Sequence, residues 1–260
     1  MTNTTNSLCV IMPILPHKIG NVKDLIDDMC EKRRSDMEQH MHEVGVKKVL
    51  AFIQSMQAGD FIVEYLEMAD SLEKTMAKAA GSNTPFPEYA DQFKEISGID
   101  RSSMLENVQK IEKLYDWKDS KLYLEERDTL KMPWAWATPI LAGKTEDVKQ
   151  FWKTRREEHS KDAEDHFKSL NITMMQAYLE HLPQGDFLVQ YMCASEQLDK
   201  VILKCMSGDT KSSKFVKSEY MKFSGIDFTK EANLPDLQLI FSWNDVKGFQ
   251  TAAQEIAYTQ

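Results

Sequence analysis

Two histidines of this 260-residue chain have the side-chain type for acid–base chemistry, and they lie 126 residues apart. His40 and His166 each fall on the apolar stripe of a charged segment with helical periodicity. An imidazole in that position could act as a general acid or base, or as a metal ligand. The alternative is a histidine at the border of the core that hydrogen-bonds a backbone carbonyl or a carboxylate. We favour the alternative, because a helix that covers the outer face of a sheet turns its core side away from a cavity on the other face.

Glu64 is the best candidate for a ligand-binding residue. It alternates with Ile62 and Leu66 in a strand pattern, and Gln190 stands 126 residues later. A carboxylate among apolar neighbours is costly unless it is paired or faces a wet cavity. The alternative is an exposed position at a sheet edge. The neighbouring strand adds further candidates, which are Gln54, Glu180, Phe52 and Tyr178.

Tyr65 and Tyr191 are secondary candidates, together with the two histidines. Each tyrosine alternates with a phenylalanine and a valine, a stripe that is more typical of a core than of a site. The sequence has no P-loop, no G-x-G-x-x-G, no H-E-x-x-H and no nucleophile elbow. Its four cysteines form no C-x-x-C pair, so we predict reduced thiols and no metal or cofactor site.

An internal duplication explains the spacing of these pairs. Shifting the sequence by 126 gives 19 identities over the 67 positions from 13 to 79, where chance would give about four. The block Ser97–Asp100 returns at Ser224–Asp227 after a one-residue insertion. We therefore predict a first repeat at 1–126, a second at 127–246 and a C-terminal tail at 247–260.

Both repeats show the order β-α-β-β-α-β, a ferredoxin-like unit. Apolar runs predict a first strand, and one long amphipathic helix follows it at 21–44 and at 147–170. A hairpin comes next, with a glycine in its turn. A short helix, an extra helical piece and a fourth strand end each repeat. The fourth strands are predicted at 109–117 and 235–243.

The Arg33–Arg34 pair in the first helix, the Gly59-Asp60-Phe61 turn and the Ser97–Asp100 motif resemble small single-repeat bacterial proteins of unknown function. Those proteins belong to the dimeric α+β barrel superfamily. The resemblance implies an α+β fold in which the antiparallel sheets of both repeats pack into one barrel with pseudo-two-fold symmetry. The superfamily includes cofactor-free monooxygenases, isomerases, haem enzymes and ligand sensors, so the resemblance implies a fold and leaves the activity open.

The net charge of −9 argues against nucleic acid or an anionic membrane as the main partner. No apolar stretch is long enough to span a bilayer, and the N-terminus is not typical of a signal peptide. We expect a cytoplasmic monomer or weak dimer that binds a small, partly apolar molecule between its two sheets. The alternatives are a cofactor-free oxygenase or isomerase, a haem enzyme, and a protein-interaction module that uses the charged helices.

Overall fold

The computed structural model describes residues 6–82, 86–119 and 132–251. It shows an α+β protein with two antiparallel sheets, as the sequence predicts. The chain divides into two compact units. Unit 1 contains residues 1–109 and 237–260, and unit 2 contains residues 110–236.

The strands of unit 1 form a sheet in the order β1-β3-β2-β8-β9. They are β1 Asn6–Ile14, β2 Val46–Met56, β3 Gly59–Met68, β8 Asp236–Asn244 and β9 Gly248–Thr251. The sheet of unit 2 has the order β4-β6-β7-β5. Its strands are β4 Glu112–Lys118, β5 Met132–Pro139, β6 Ile172–Leu182 and β7 Gly185–Ala194.

The fourth strand of each repeat lies in the sheet of the other repeat. β4 pairs with β6, and β8 is the neighbour of β2. The prediction of two self-contained β-α-β-β-α-β units is therefore wrong about the partner of the fourth strand. In a duplicated sequence both copies offer the same pairing edge, and the alternation of a strand does not say which edge it takes. The predicted tail also contains a strand, because β9 pairs with β8.

The described helices follow the predicted order but differ in length. They are α1 Ile19–Asp27, α2 Arg34–Val44, α3 Leu72–Gly81, α4 Phe86–Ser97, α5 Arg101–Gln109, α6 Thr145–Glu157, α7 Ser160–Ser169, α8 Leu198–Ser207 and α9 Lys211–Ser224. Each predicted long helix is broken at the same repeat position. The backbone N–H of Arg33 reaches back to Asp28, and that of His159 to Thr154, which are five-residue steps. Such a wide turn needs neither proline nor glycine, so the sequence pattern does not show it.

The repeated Ser-Gly-Ile-Asp motif ends a helix and fixes the segment after the first strand of the repeat. In unit 2, the Ser224 hydroxyl donates to the Tyr220 carbonyl, and Gly225 adopts φ 72°. The Leu141 N–H then donates to the carbonyl of Phe223 at 2.8 Å. The same bonds recur in unit 1, where the Leu15 N–H donates to Ile96. This repeated motif is structural.

One face of the unit 1 sheet is covered by helices and holds a continuous hydrophobic core. Ile62 and Leu66 of β3 face this core with residues of α1 and α2. Glu64 lies between them on the same face of the strand, and its register partners are Val10 and Ala51. The expectation that Glu64 faces away from the helices is therefore wrong.

Candidate ligand-binding cavity

A cavity of about 60 Å³ lies inside unit 2, between the sheet and its helices. One water needs roughly 10–15 Å³ on this scale, so the cavity has room for a small organic molecule. Its wall is mostly aromatic and aliphatic. The apolar lining residues include Trp136, Phe151, Phe167, Leu170, Met175, Met192, Val201, Val216 and Phe228. Six further lining residues carry polar side-chain groups, which are Trp152, Arg155, His166, Gln190, Cys205 and Tyr220.

Arg155 is the most unusual residue of the cavity, because it is a buried cation with no anionic partner among the described residues. It exposes 2% of its surface, and its Nε has no hydrogen-bond acceptor among the described residues. Its guanidinium carbon lies 4.9 Å from the ring centre of Phe167 and 5.7 Å from that of Phe151. Loss of water on burial lowers the pKa of the group. These ring contacts offset only part of the cost of burying a charge.

Trp152 brings a second unsatisfied donor to the same cavity. It is three residues before Arg155 in α6, so both side chains lie on one face of that helix. The indole Nε1 is buried and has no acceptor in the part of the chain that the structure describes. A buried donor without an acceptor costs about 1–3 kcal/mol. Two such donors therefore lie on one helix face in the wall of the cavity.

His166 and Cys205 form a close pair in the cavity. The imidazole Nε2 lies 3.3 Å from the Cys205 Sγ. Burial and the charge of Arg155 lower the pKa of His166 to about 4. Burial also raises the pKa of the Cys205 thiol to about 11, although Arg155 opposes this shift. At neutral pH the pair is a neutral imidazole and a neutral thiol.

Gln190 and Tyr220 connect the sheet to α9. The Tyr220 hydroxyl donates a 2.7 Å hydrogen bond to Gln190 Oε1, and both residues are buried. Burial raises the pKa of the tyrosine. Gln190, predicted from the sequence as a ligand-binding residue, therefore lies in the wall of this cavity.

The equivalent positions of unit 1 carry a different set of side chains. Met29 stands where unit 2 has Arg155, Ile26 where it has Trp152, and Ala79 where it has Cys205. Glu64 stands in place of Gln190. Its carboxylate has no hydrogen bond or ion pair among the described residues, and burial raises its pKa to about 7. Among the described residues, unit 1 thus holds an unpaired carboxyl at the position of Gln190, and unit 2 holds an unpaired guanidinium at the position of Met29.

The other strand residues predicted from the sequence lie on the opposite sheet faces. Register pairs Gln54 with Phe61 and Glu180 with Phe187, away from the helix-covered faces. Four further residues share these faces, which are Phe52, Tyr65, Tyr178 and Tyr191. Of the sequence-predicted candidates, the structure therefore brings only Gln190 and His166 together in this cavity.

Hydrogen bonds occupy the three tyrosine hydroxyls on those opposite faces. Tyr178 donates to Gln176 at 3.0 Å, and Tyr65 donates to Glu67 at 2.9 Å. The Tyr191 hydroxyl lies 3.0 Å from the Cys193 Sγ. These contacts are consistent with the core role that the sequence favours for Tyr65 and Tyr191.

The two predicted histidines differ in their surroundings. His40 is buried and its Nδ1 lies 3.4 Å from the Ser82 hydroxyl, which is neither the backbone carbonyl nor the carboxylate expected from the sequence. His166 lines the cavity instead, on α7. A cavity on the other sheet face is expected from the sequence, whereas this cavity lies on the helix side and is lined by Trp152, Arg155 and His166 from the first-helix region.

Sequence reasoning missed Arg155, Trp152, Cys205 and Tyr220. One signal was available, since Arg155 lies on the apolar stripe of its helix. An arginine on such a stripe is rarely fully buried unless it is paired. The described residues contain no cluster of three or more potential metal ligands. Among the described helices, none is both long and apolar enough to cross a membrane.

No protein-family model matches the chain, and a comparison with curated proteins finds no relative. Solved structures are similar over nearly its whole length. A putative monooxygenase from Fusobacterium nucleatum subsp. nucleatum is 10% identical with a TM-score of 0.49, and the match covers 96% of this chain and 98% of that one. An anthrone oxidase-like protein is 9% identical with a TM-score of 0.48, and the match covers 95% of this chain and 95% of that one. A putative monooxygenase from Lactobacillus acidophilus NCFM is 11% identical with a TM-score of 0.45, and the match covers 94% of this chain and 98% of that one.

Proposed function

We propose that the protein binds a small, largely apolar molecule with one anionic group in the cavity of unit 2. The observation that carries this proposal is a pair of buried donor atoms, Arg155 Nε and Trp152 Nε1, that have no acceptor among the described residues. A carboxylate or an acidic phenol supplies the missing acceptors. The aromatic and aliphatic wall then takes the apolar remainder of the molecule.

An anion fits this site better than a neutral polar ligand. The guanidinium is a planar fork of donors that matches the two oxygens of a carboxylate. Leaving its charge unpaired in an apolar wall costs several kcal/mol, because a buried ion loses its hydration. A bound anion pairs with this charge and accepts hydrogen bonds from the guanidinium. The few water molecules that fit in a small cavity do so only in part.

The test is a thermal-shift screen of small aromatic and aliphatic acids, each beside its primary amide of equal shape. The proposal predicts that acids stabilise the protein and that their amides do not. The shift should vanish in Arg155→Met, which installs the residue of the equivalent unit 1 position, and persist in Arg156→Met. Arg156 is exposed and donates to the Leu114 carbonyl, so it serves as the matched control. Equal shifts from acids and amides would show that binding does not depend on the negative charge and would overturn the proposal.

A second candidate function is cofactor-free catalysis on such a molecule, of the isomerase or oxygenase kind. It is favoured by a neutral imidazole and a buried cation in one cavity. His166 Nε2 would remove a proton from carbon next to a carbonyl group, and the electron pair would move to the oxygen beside Arg155. Return of the proton to another carbon is isomerisation, whereas an oxygenase needs dioxygen to react with the carbanion.

Solvent exchange tests this second candidate directly. A bound keto acid incubated in D₂O should exchange its acidic C–H protons faster with the protein than without it, as measured by proton NMR. His166→Gln should abolish the acceleration, and His40→Gln should not. An acid that binds without accelerated exchange would leave the protein a binding protein.

A further inference from the structure

We propose that Cys205 is a covalent addition site for α,β-unsaturated carbonyl compounds that carry an anionic group, with His166 as the proton acceptor. The proposal rests on the anion site at Arg155. The thiol and the imidazole are 3.3 Å apart, and both line the same cavity as the buried guanidinium. An anchored ligand therefore lies in a cavity whose wall also holds a nucleophile and a base.

The thiol–imidazole pair is not a requirement of the fold. The repeat places Ala79 at the position of Cys205, whereas His40 matches His166. In unit 1 the histidine lies against the Ser82 hydroxyl instead. Unit 1 therefore keeps the imidazole without the thiol and also without the arginine, since Met29 stands at that position. Of these two sets of equivalent positions, only the set in unit 2 has the thiol, the imidazole and the guanidinium together.

The addition balances without any further reagent. The thiol proton moves to His166 Nε2, and a sulfur electron pair forms a C–S bond at the β-carbon. The C=C electron pair moves onto the carbonyl oxygen and gives an enolate, which the guanidinium stabilises. The proton then returns from the imidazolium to the α-carbon. The product is a thioether, and no atom changes its oxidation state through an external oxidant or reductant.

The neutral resting state of the pair predicts selectivity. A thiol reacts as its thiolate, and burial disfavours that form in the empty cavity. Cys205 should therefore react slowly with a small neutral electrophile such as N-ethylmaleimide. An electrophile that is bound at Arg155 gains from proximity, which offsets the low thiolate fraction.

The experiment uses 3-benzoylacrylic acid as the probe and its saturated analogue, 3-benzoylpropionic acid, as the control. Peptide mass spectrometry follows the labelling of all four cysteines over time. The acid should label Cys205 at least about tenfold faster than its methyl ester does, because only the acid is anchored. The saturated acid should protect Cys205, and His166→Gln should slow the labelling whereas His40→Gln should not.

Each outcome has one meaning for the proposal. Labelling spread over the cysteines, or equal rates for acid and ester, would overturn it. Protection by the saturated acid is measured on the wild-type protein, so this measurement still tests the proposal if a variant does not fold. If 3-benzoylpropionic acid binds in an Arg155-dependent way and the unsaturated acid leaves Cys205 unmodified, the covalent step is wrong and the anion site stands. If neither acid binds, the proposed function itself fails.

Discussion

Glu64 and Gln190 occupy the same position in the two sheets. Glu64 in β3 is paired with Val10 of β1 and Ala51 of β2. Gln190 in β7 is paired with the residues at the equivalent repeat positions, Trp136 of β5 and Ala177 of β6. Both lie on the strand face that the helices cover. Gln190 accepts a hydrogen bond from Tyr220, whereas Glu64 has no partner among the described residues. The first repeat thus has an ionisable side chain at this position, and the second repeat has a neutral side chain of the same shape.

Glu64→Gln should stabilise the protein at alkaline pH. Burial raises the folded-state pKa of Glu64 from 4.5 to about 7, so the folded state holds this proton more tightly than the unfolded state. Stability therefore falls as pH rises from about 4.5 through 7, by up to about 3 kcal/mol. Urea unfolding should show the variant more stable than wild type at pH 8 and equal to it at pH 4.5. The exposed Glu95→Gln is the control, and equal stabilities at both pH values would contradict the unpaired carboxyl.

His166→Gln should remove a sensitivity to acid. The folded-state pKa of His166 is about 4 against an ordinary value of 6.5, so the unfolded state binds this proton more readily. The contribution of the neutral histidine is complete above about pH 6.5 and is lost as pH falls through 4. We expect wild type to lose more stability than the variant between pH 7 and 4.5. A His166 imidazole resonance that titrates near 6.5 in NMR would contradict the burial of the ring.

Arg155→Met should leave the ligand-free protein as stable as wild type, or more stable by about 1–3 kcal/mol. The substitution removes an unpaired buried cation and puts an apolar side chain in an apolar wall. Urea unfolding at pH 7 measures this difference, with Arg156→Met as the control. A loss of several kcal/mol in Arg155→Met alone would mean that the guanidinium has a structural partner and is not held ready for a ligand.

The order of most strands and helices could be predicted from the sequence, because two copies of each pattern support them. The turn at Gly59, with φ 124°, forms as predicted. The partner of the fourth strand could not be predicted, because β2 and β6 offer equivalent edges. The cavity could not be predicted either, since its groups come from α6, α7, α8 and α9, and helical periodicity does not show which helices meet.

A fragment of residues 1–126 should self-associate. In the full chain β8, not β4, lies beside β2, so the fragment lacks the strand that completes its sheet. The fragment's β4 matches β8 in the repeat, so two copies can exchange this strand and form a dimer. Light scattering should give a dimer or larger species for the fragment, and a monomer for the full chain. A soluble, cooperatively folded monomeric fragment would show that β4 returns to its own repeat.

Isothermal titration of one acid and its matched amide tests the central claim most directly. A charged hydrogen bond contributes about 1.5–3 kcal/mol, so Arg155→Met should weaken binding of the acid roughly 10- to 100-fold. Arg156→Met should bind the acid as wild type does, and the amide should bind weakly to all three proteins. An acid that binds wild type and Arg155→Met with the same Kd would contradict an anion site in the unit 2 cavity.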